Sequence, residues 1–277
     1  MKYIITLFFF FFGCINSFAC DCDIPKAILE FYSSKEVFTG RIIKKTFDKD
    51  SSNYTITFEV LKSYKNENIP NELSFTFRYK KKGAQNSCYW EAFVNEEWVV
   101  YASERNGKLV FEKNCSNSAS LKWTNNVVPN EKMLENGNKF KIDDFIYQFE
   151  SDFNLPNPIS NIDSIFKTGK LKDYGNQHAL LGLYIDKNGK LISLFTGIDL
   201  VNSEGEFKYD SIYGLQRELK IKKKRPYTEF EKDAIDLAMS VKDWEIKRHN
   251  STKIPVSHIR YLKIEFDNKE MKWKYEL

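Results

Sequence analysis

Cysteine carries the clearest chemistry in this chain. Cys20-Asp21-Cys22 sets two thiols on either side of a carboxylate, Cys88 and Cys115 follow far downstream, and Cys14 lies ahead of them all. In an oxidising compartment an even set of four cysteines forms two disulfides. Cys20 joined to Cys22 is sterically poor, because cysteines one residue apart rarely reach disulfide geometry. The two remaining pairings both tie the Cys-x-Cys stretch to Cys88 and Cys115, and spacing does not choose between them. Either closes loops of roughly 70 to 95 residues, each stabilising by about 4 kcal/mol through the entropy removed from the unfolded chain. Other chemistry is not indicated. His178, His249 and His258 lack ligand spacing, so no metal site is expected. There is no glycine-rich phosphate loop, no nucleophile elbow and no His-Glu-x-x-His. The 38 acidic residues form no pair suited to acid–base work. The reading is of a protein with no catalytic residues and no cofactor, although a carbohydrate or lipid ligand would leave no mark at this level.

The segment ahead of Cys20 sets the redox environment those thiols meet. Met1-Lys2 is a short basic start, Tyr3 to Phe12 is an almost unbroken apolar run, and Ser17 and Ala19 are small. This is the three-part pattern of a secretory signal peptide over residues 1–19, cleaved after Ala19. The apolar run is about ten residues, whereas a membrane-spanning helix needs roughly twenty. A retained anchor is one alternative. Another is a lipoprotein signal, since Ser17-Phe18-Ala19-Cys20 loosely resembles a lipobox. Acylation would consume the Cys20 sulfur and leave an odd thiol, whereas simple cleavage removes Cys14 and leaves four. The expected location is therefore exported (periplasmic, outer-membrane-associated or extracellular), with no transmembrane span once the signal is gone.

Composition limits the partners. The chain has 277 residues, 42% hydrophobic, enough for two ordinary domains and too apolar for disorder. A net charge of +4 is too small to argue for nucleic acid. Lys80-Lys81-Lys82 and Lys222-Lys223-Lys224-Arg225 read as solvated turns or strand ends.

The elements that must hold the cysteines read as strands. Asp23 can cap a helix with Pro25 in its first turn and Ala27, Ile28, Phe31 and Tyr32 on one face. Strand-like runs follow at Val37 to Phe47, Tyr54 to Val60, Leu73 to Phe77 and Glu97 to Ala102. Leu109 to Phe111 follows an Asn106-Gly107 turn, the strongest short hairpin signal. A leading helix and five strands predict a small disulfide-tethered antiparallel barrel over residues 20–120.

Cys20-Asp21-Cys22, Val37 to Ile42, Cys88, Trp98 to Ala102 and Cys115 together resemble the amino-terminal domain of tissue inhibitors of metalloproteinases. That domain is a netrin-like module on an oligonucleotide-binding-type (OB) barrel. The resemblance covers about 95 residues and implies links Cys20–Cys88 and Cys22–Cys115; the family's third bridge has no counterpart. It also implies an activity. The free amine and carbonyl of Cys20 would chelate a protease's catalytic zinc, and Asp21 would enter its specificity pocket. A carboxylate suits an apolar pocket poorly, because an unpaired buried charge is costly.

Asn114 to Asn138 is rich in Asn, Ser, Glu and Lys, with Pro129 and Gly137, and residues 121–138 of it read as a linker or loosely packed tail with one helical turn near Met133-Leu134. Over 139–277 the expected order is an amphipathic helix at Ile142 to Phe149, then a hairpin of Ala179 to Ile185 and Leu191 to Phe195. A polar insertion at 199–227 follows, and then a helix opened by the Thr228-x-x-Glu231 capping box, with Phe230, Ala234, Leu237, Ala238 and Val241 on one face. Trp244 then anchors against the sheet, and strands run over Val256 to Phe266 and Met271 to Leu277. Leu183 to Ile192, Asp233 to Trp244 and Ile254 to Phe266 resemble the carboxy-terminal domain of TonB, a ββαβ unit, over roughly 125 residues. That resemblance implies a Gram-negative envelope setting and protein binding by strand addition. The expected fold class is mixed β and α+β: an OB-like barrel, then a ββαβ domain. The expected function is that of a non-catalytic interaction protein whose partner is an envelope protein or, in the inhibitor reading, a metalloprotease.

Overall fold

The computed structural model of the chain describes residues 22–79, 89–122, 130–147, 155–175, 177–197, 207–219 and 225–277. The fold is mostly β and divides into two compact units, Met1–Asn138 and Lys139–Leu277.

The first unit opens with helix α1 (Ala27–Ser33). The expected Asp23 cap is not the one used: the helix starts after Lys26, which offers no side-chain cap. Cys22 is bonded to Cys115, and the Pro25 carbonyl accepts from Asn117 Nδ2, so the chain is held extended as far as Lys26. Strands β1 (Glu36–Phe47), β2 (Asn53–Ser63), β3 (Glu72–Arg78), β4 (Glu97–Arg105) and β5 (Lys108–Val110) follow, with a short β6 (Ala119–Ser120). They form one antiparallel sheet in the order β3-β2-β1-β4-β5, with β6 on β4. The return of the fourth strand to lie beside the first is a Greek-key connection.

Alternation explains the sheet. In β2, Tyr54, Ile56 and Phe58 are buried, while Thr55 and Thr57 face out and bond Thr76 and Ser74 of β3. Asn106 (φ 53°) and Gly107 (φ 73°) make the tight β4–β5 turn, the left-handed conformation this dipeptide tolerates. The β1–β2 register shifts twice, between Thr39 and Gly40 and between Ile42 and Lys44, which bends the sheet. Phe111, just past β5, packs at 5.0 Å from the Phe75 ring and 5.2 Å from Phe77 of β3, so the two ends of the strand order share one aromatic core. Within the stretch that reads as a linker, the helical turn expected near Met133-Leu134 is helix α2 (Glu131–Asn136). Met133 and Leu134 in it are buried, and Lys62 of β2 bonds Glu131 and Glu135.

In the second unit the helix expected over Ile142 to Phe149 is replaced, within the described residues, by a single 3-10 turn at Ile142–Asp144. The chain then becomes strand β7 (Phe145–Ile146). Phe145 and Ile146 pair with Arg217 and Gln216 instead of continuing a helix. The expected polar insertion contains a hairpin, β10 (Phe207–Asp210) and β11 (Leu215–Leu219), and β11 receives β7. Helix α3 (Ile162–Phe166) precedes strands β8 (His178–Ile185) and β9 (Leu191–Thr196). Helix α4 (Glu229–Ser240) then leads to β12 (His258–Asp267) and β13 (Lys272–Glu276). The main sheet is four-stranded and antiparallel, in the order β13-β12-β8-β9.

The α4 capping box is formed in both directions: Glu231 N donates to Thr228 Oγ1 at 3.1 Å, and Thr228 N donates to Glu231 Oε2 at 2.8 Å. Phe230, Ala234, Leu237, Ala238 and Val241 bury against Leu181, Leu183, Leu262 and Ile264 of the sheet. Trp244, 1% exposed, closes that core and donates Nε1–H to the Val241 carbonyl at 2.9 Å. The hairpin turn requires glycine at Gly189 (φ 77°): a side chain there would strike the Trp244 carbonyl, which accepts no closer neighbour than hydrogen.

Candidate functional site

Of the residues the sequence marks for chemistry, Cys22 and Cys115 are brought together in a disulfide, with a Cα separation of 5.7 Å. Cys20, Asp21 and Cys88 lie outside the described residues, as do the signal segment and Lys80 to Lys82. The disulfide and the Pro25–Asn117 bond tie the segment ahead of α1 to the loop before β6. Within α1 the tie is Glu30, which no sequence motif marks. Its carboxylate accepts from the Asn117 backbone N–H and from Asn117 Nδ2, both at 2.6 Å, and from Ser116 Oγ. Burial pushes the Glu30 carboxyl up, against the pull of these donors. At the other end of α1, Lys65 Nζ donates to the Phe31 and Tyr32 carbonyls at 2.6 and 3.0 Å, filling acceptors that a helix end leaves open. This arrangement pins an N-terminal segment rigidly, and it brings no nucleophile or acid–base pair together.

The second candidate is an edge. β13 ends the four-stranded sheet: its inner side pairs with β12 from Lys272↔Asp267 to Glu276↔Lys263, and no described strand lies beyond it. No backbone hydrogen bond reaches its outer side among the described residues. At the opposite edge, β9 is partly covered, since Leu191 N donates to the Lys242 carbonyl at 3.0 Å. An open cleft of about 580 Å³ follows β13, lined by Asp163, Lys263, Glu265 and the whole strand. Its two faces differ. Trp273 and Tyr275 join the α4-side core, where Tyr275 Oη donates to Asp163 at 2.7 Å. Lys272, Lys274 and Glu276 face the other way with Lys263 and Glu265, and Lys274 bonds Asp267 at 2.6 Å.

The histidines are not assembled into a site. His178 is exposed, His249 Nδ1 lies 2.9 Å from Thr252 Oγ1, and His258 is buried at the start of β12. Burial first, then the cationic Lys247 and Arg260, hold His258 down to about 4, so its ring is neutral near pH 7. Among the described residues no group of three His, Cys, Asp or Glu side chains could hold a metal ion, and no helix is long and apolar enough to cross a membrane. A more concentrated polar group ties α4 to the loop ahead of β8. Asp233, 6% exposed, accepts from Tyr174 Oη at 2.6 Å and from Lys170 Nζ at 2.5 Å. Burial raises this carboxyl, and the Lys170 and Tyr174 bonds outweigh it, leaving the group below its usual range. No family model matches the chain, and no curated protein sequence matches it significantly.

Proposed function

We propose that this is an exported, non-catalytic interaction protein of the cell envelope that takes a partner strand at the β13 edge. The observation that carries the reading is that edge: five residues whose outer side pairs with no other described strand, bordered by an open cleft. Strand addition draws affinity from main-chain hydrogen bonds and specificity from alternate side chains. Apart from the β10–β11 hairpin, which pairs with β7 in a separate sheet, the order β8, β9, α4, β12 with β12 against β8 is compatible with the ββαβ layout that the resemblance to the carboxy-terminal domain of TonB implies. The first unit, a disulfide-tethered Greek key whose outer strands share an aromatic core, is read as an OB-like barrel. Its disulfide suits an oxidising compartment outside the cytoplasm.

A photo-cross-linking amino acid at position 276, in the protein exported by its own host, tests this. Adducts to protein should form from 276 and not from 232, on the solvent face of α4. Adducts only from 232, or none from 276, would overturn the edge reading.

One observation favours a second reading. Cys22–Cys115 is the pairing that the resemblance to metalloproteinase inhibitors implies. In that reading the mature amine of Cys20 chelates a protease zinc and Asp21 probes its pocket. A single extra residue ahead of Cys20 should then abolish inhibition of a zinc endopeptidase, and equal inhibition with and without it would exclude the mechanism.

A further inference from the structure

We infer that the strand received at the β13 edge is β13 of a second copy of this chain, paired antiparallel about a two-fold axis through Tyr275. The inference rests on the edge reading above and names its occupant.

The register follows from the side chains. A two-fold axis perpendicular to the sheet keeps each face on its own side, so charged positions must meet charged positions and aromatic positions must meet apolar ones. A slip of one residue would set Lys274 against an aromatic position and is excluded by the pleat. Any axis through a residue of β13 keeps the faces matched. An axis through Lys274 sets Lys272 opposite Glu276 twice but sets Lys274 opposite its own copy. Axes through Lys272 and Glu276 likewise oppose those residues to themselves, and an axis through Trp273 sets Lys272 opposite Lys274. Each of these places at least one like-charged pair across the ladder, which is destabilising. An axis through Tyr275 instead sets Lys274 opposite Glu276 twice, Tyr275 opposite Tyr275, and Trp273 opposite Leu277 twice. Every cross-strand pair is then complementary.

The side chains are placed to make these contacts. Lys274 is 38% exposed and Glu276 75% exposed, so each keeps its own-sheet partner, Asp267 or Lys263, and still has surface to offer. Leu277 is 37% exposed, one of the exposed large apolar side chains of the unit. Lysine on an edge strand normally discourages edge-to-edge pairing. Here the charges place a like pair in each of the other residue-centred registers and none in this one, which favours pairing with a second copy. Five residues make a small interface, so association is weak and concentration-dependent.

Sedimentation velocity over a concentration series tests this with the oxidised mature protein, Glu276→Lys, Lys274→Glu and an equimolar mixture of the two variants. Wild type should show a monomer–dimer equilibrium. Each variant alone opposes like charges at two places and should dimerise roughly tenfold more weakly or worse. In the mixture, one variant presents two lysines at positions 274 and 276 and the other presents two glutamates. Opposite charges then meet at both places, so dimers should return as one-to-one heterodimers. Each substitution also disturbs its own sheet, because Glu276→Lys faces Lys263 and Lys274→Glu faces Asp267. That cost is the same alone and mixed, so recovery on mixing reports pairing rather than folding. Wild type monomeric at every concentration, variants that dimerise like wild type, or a mixture that fails to recover would each overturn the inference. A monomeric wild type that still forms adducts from position 276 to a different protein sinks this inference alone. Absence of both dimer and adduct sinks the edge reading with it.

Discussion

The two units hold a helix against a sheet by a different balance of cross-link, cap and burial. Helix α1 has seven residues and no side-chain N-cap, and it is fixed from outside: by Cys22–Cys115 behind it, by Glu30 on Asn117 and Ser116, and by Lys65 on its last carbonyls. Helix α4 has twelve residues, carries its own capping box and is fixed mainly by what it buries, with Asp233 on Tyr174 and Lys170 as its polar tie. A two-turn helix gains little from its own hydrogen bonds, so cross-links add to the burial of Ile28, Leu29 and Phe31. The first unit therefore adds a redox-sensitive tie to its packing, and the second carries no described disulfide.

The sharpest way to break the second half of this comparison is Trp244→Ala. The side chain is 1% exposed and joins helix to sheet, so truncation should cost about 3–5 kcal/mol in denaturant unfolding of the second unit. A cost under about 1 kcal/mol would mean that α4 does not rely on burial. Next, replacing Cys22 and Cys115 together by alanine should destabilise the first unit by about 2–4 kcal/mol. Hydrogen exchange should show α1 losing protection while α4 keeps it. Equal loss in both helices would remove the distinction.

Acid offers a third test, confined to the second unit. His258 has its folded pKa lowered to about 4 from the ordinary 6.5, so the unfolded chain binds the proton more readily. Its contribution is fully present above about pH 6.5 and is lost as pH falls toward 4, by roughly 3 kcal/mol at most. His258→Leu should flatten that part of the stability profile of β8 and β12. An unchanged slope would assign the acid sensitivity to other groups.

What was legible in the sequence follows the range of the signal. The runs that became β1 to β4 alternate over several residues, Asn106-Gly107 dictates its turn locally, and Thr228-x-x-Glu231 states a helix start in four residues. Ile142, Phe145, Ile146 and Phe149 have helical spacing, yet Phe145 and Ile146 form a strand. Their partners, Gln216 and Arg217, come from a polar stretch about seventy residues later, whose apolar content signalled no strand. Glu30 was hidden for the same reason: a lone carboxylate in an apolar helix face gains meaning only when Ser116 and Asn117 arrive beside it. The β13 edge was readable as a strand, but not as a boundary, because strand order is set by pairing and not by local pattern.

The smallest effects test the comparison most directly, because they exchange the devices of the two helices. Thr228→Ala removes the acceptor for the Glu231 N–H and leaves the Glu231 carboxylate on Thr228 N and Arg225, so α4 should lose about 1 kcal/mol. At α1 the cap position is Lys26, with φ −54° and ψ 133°, the extended geometry a capping side chain requires. Lys26→Ser supplies an oxygen there without adding charge beside the buried Glu30, and should stabilise α1 by about 0.5–1 kcal/mol. The gain should be larger in the Cys22→Ala/Cys115→Ala background, where the tether no longer holds the helix start. Urea midpoints of the four variants read this directly. If the serine helps equally with and without the disulfide, then the tether and the cap act on different parts of α1, and the disulfide stabilises the segment before the helix and not the helix itself.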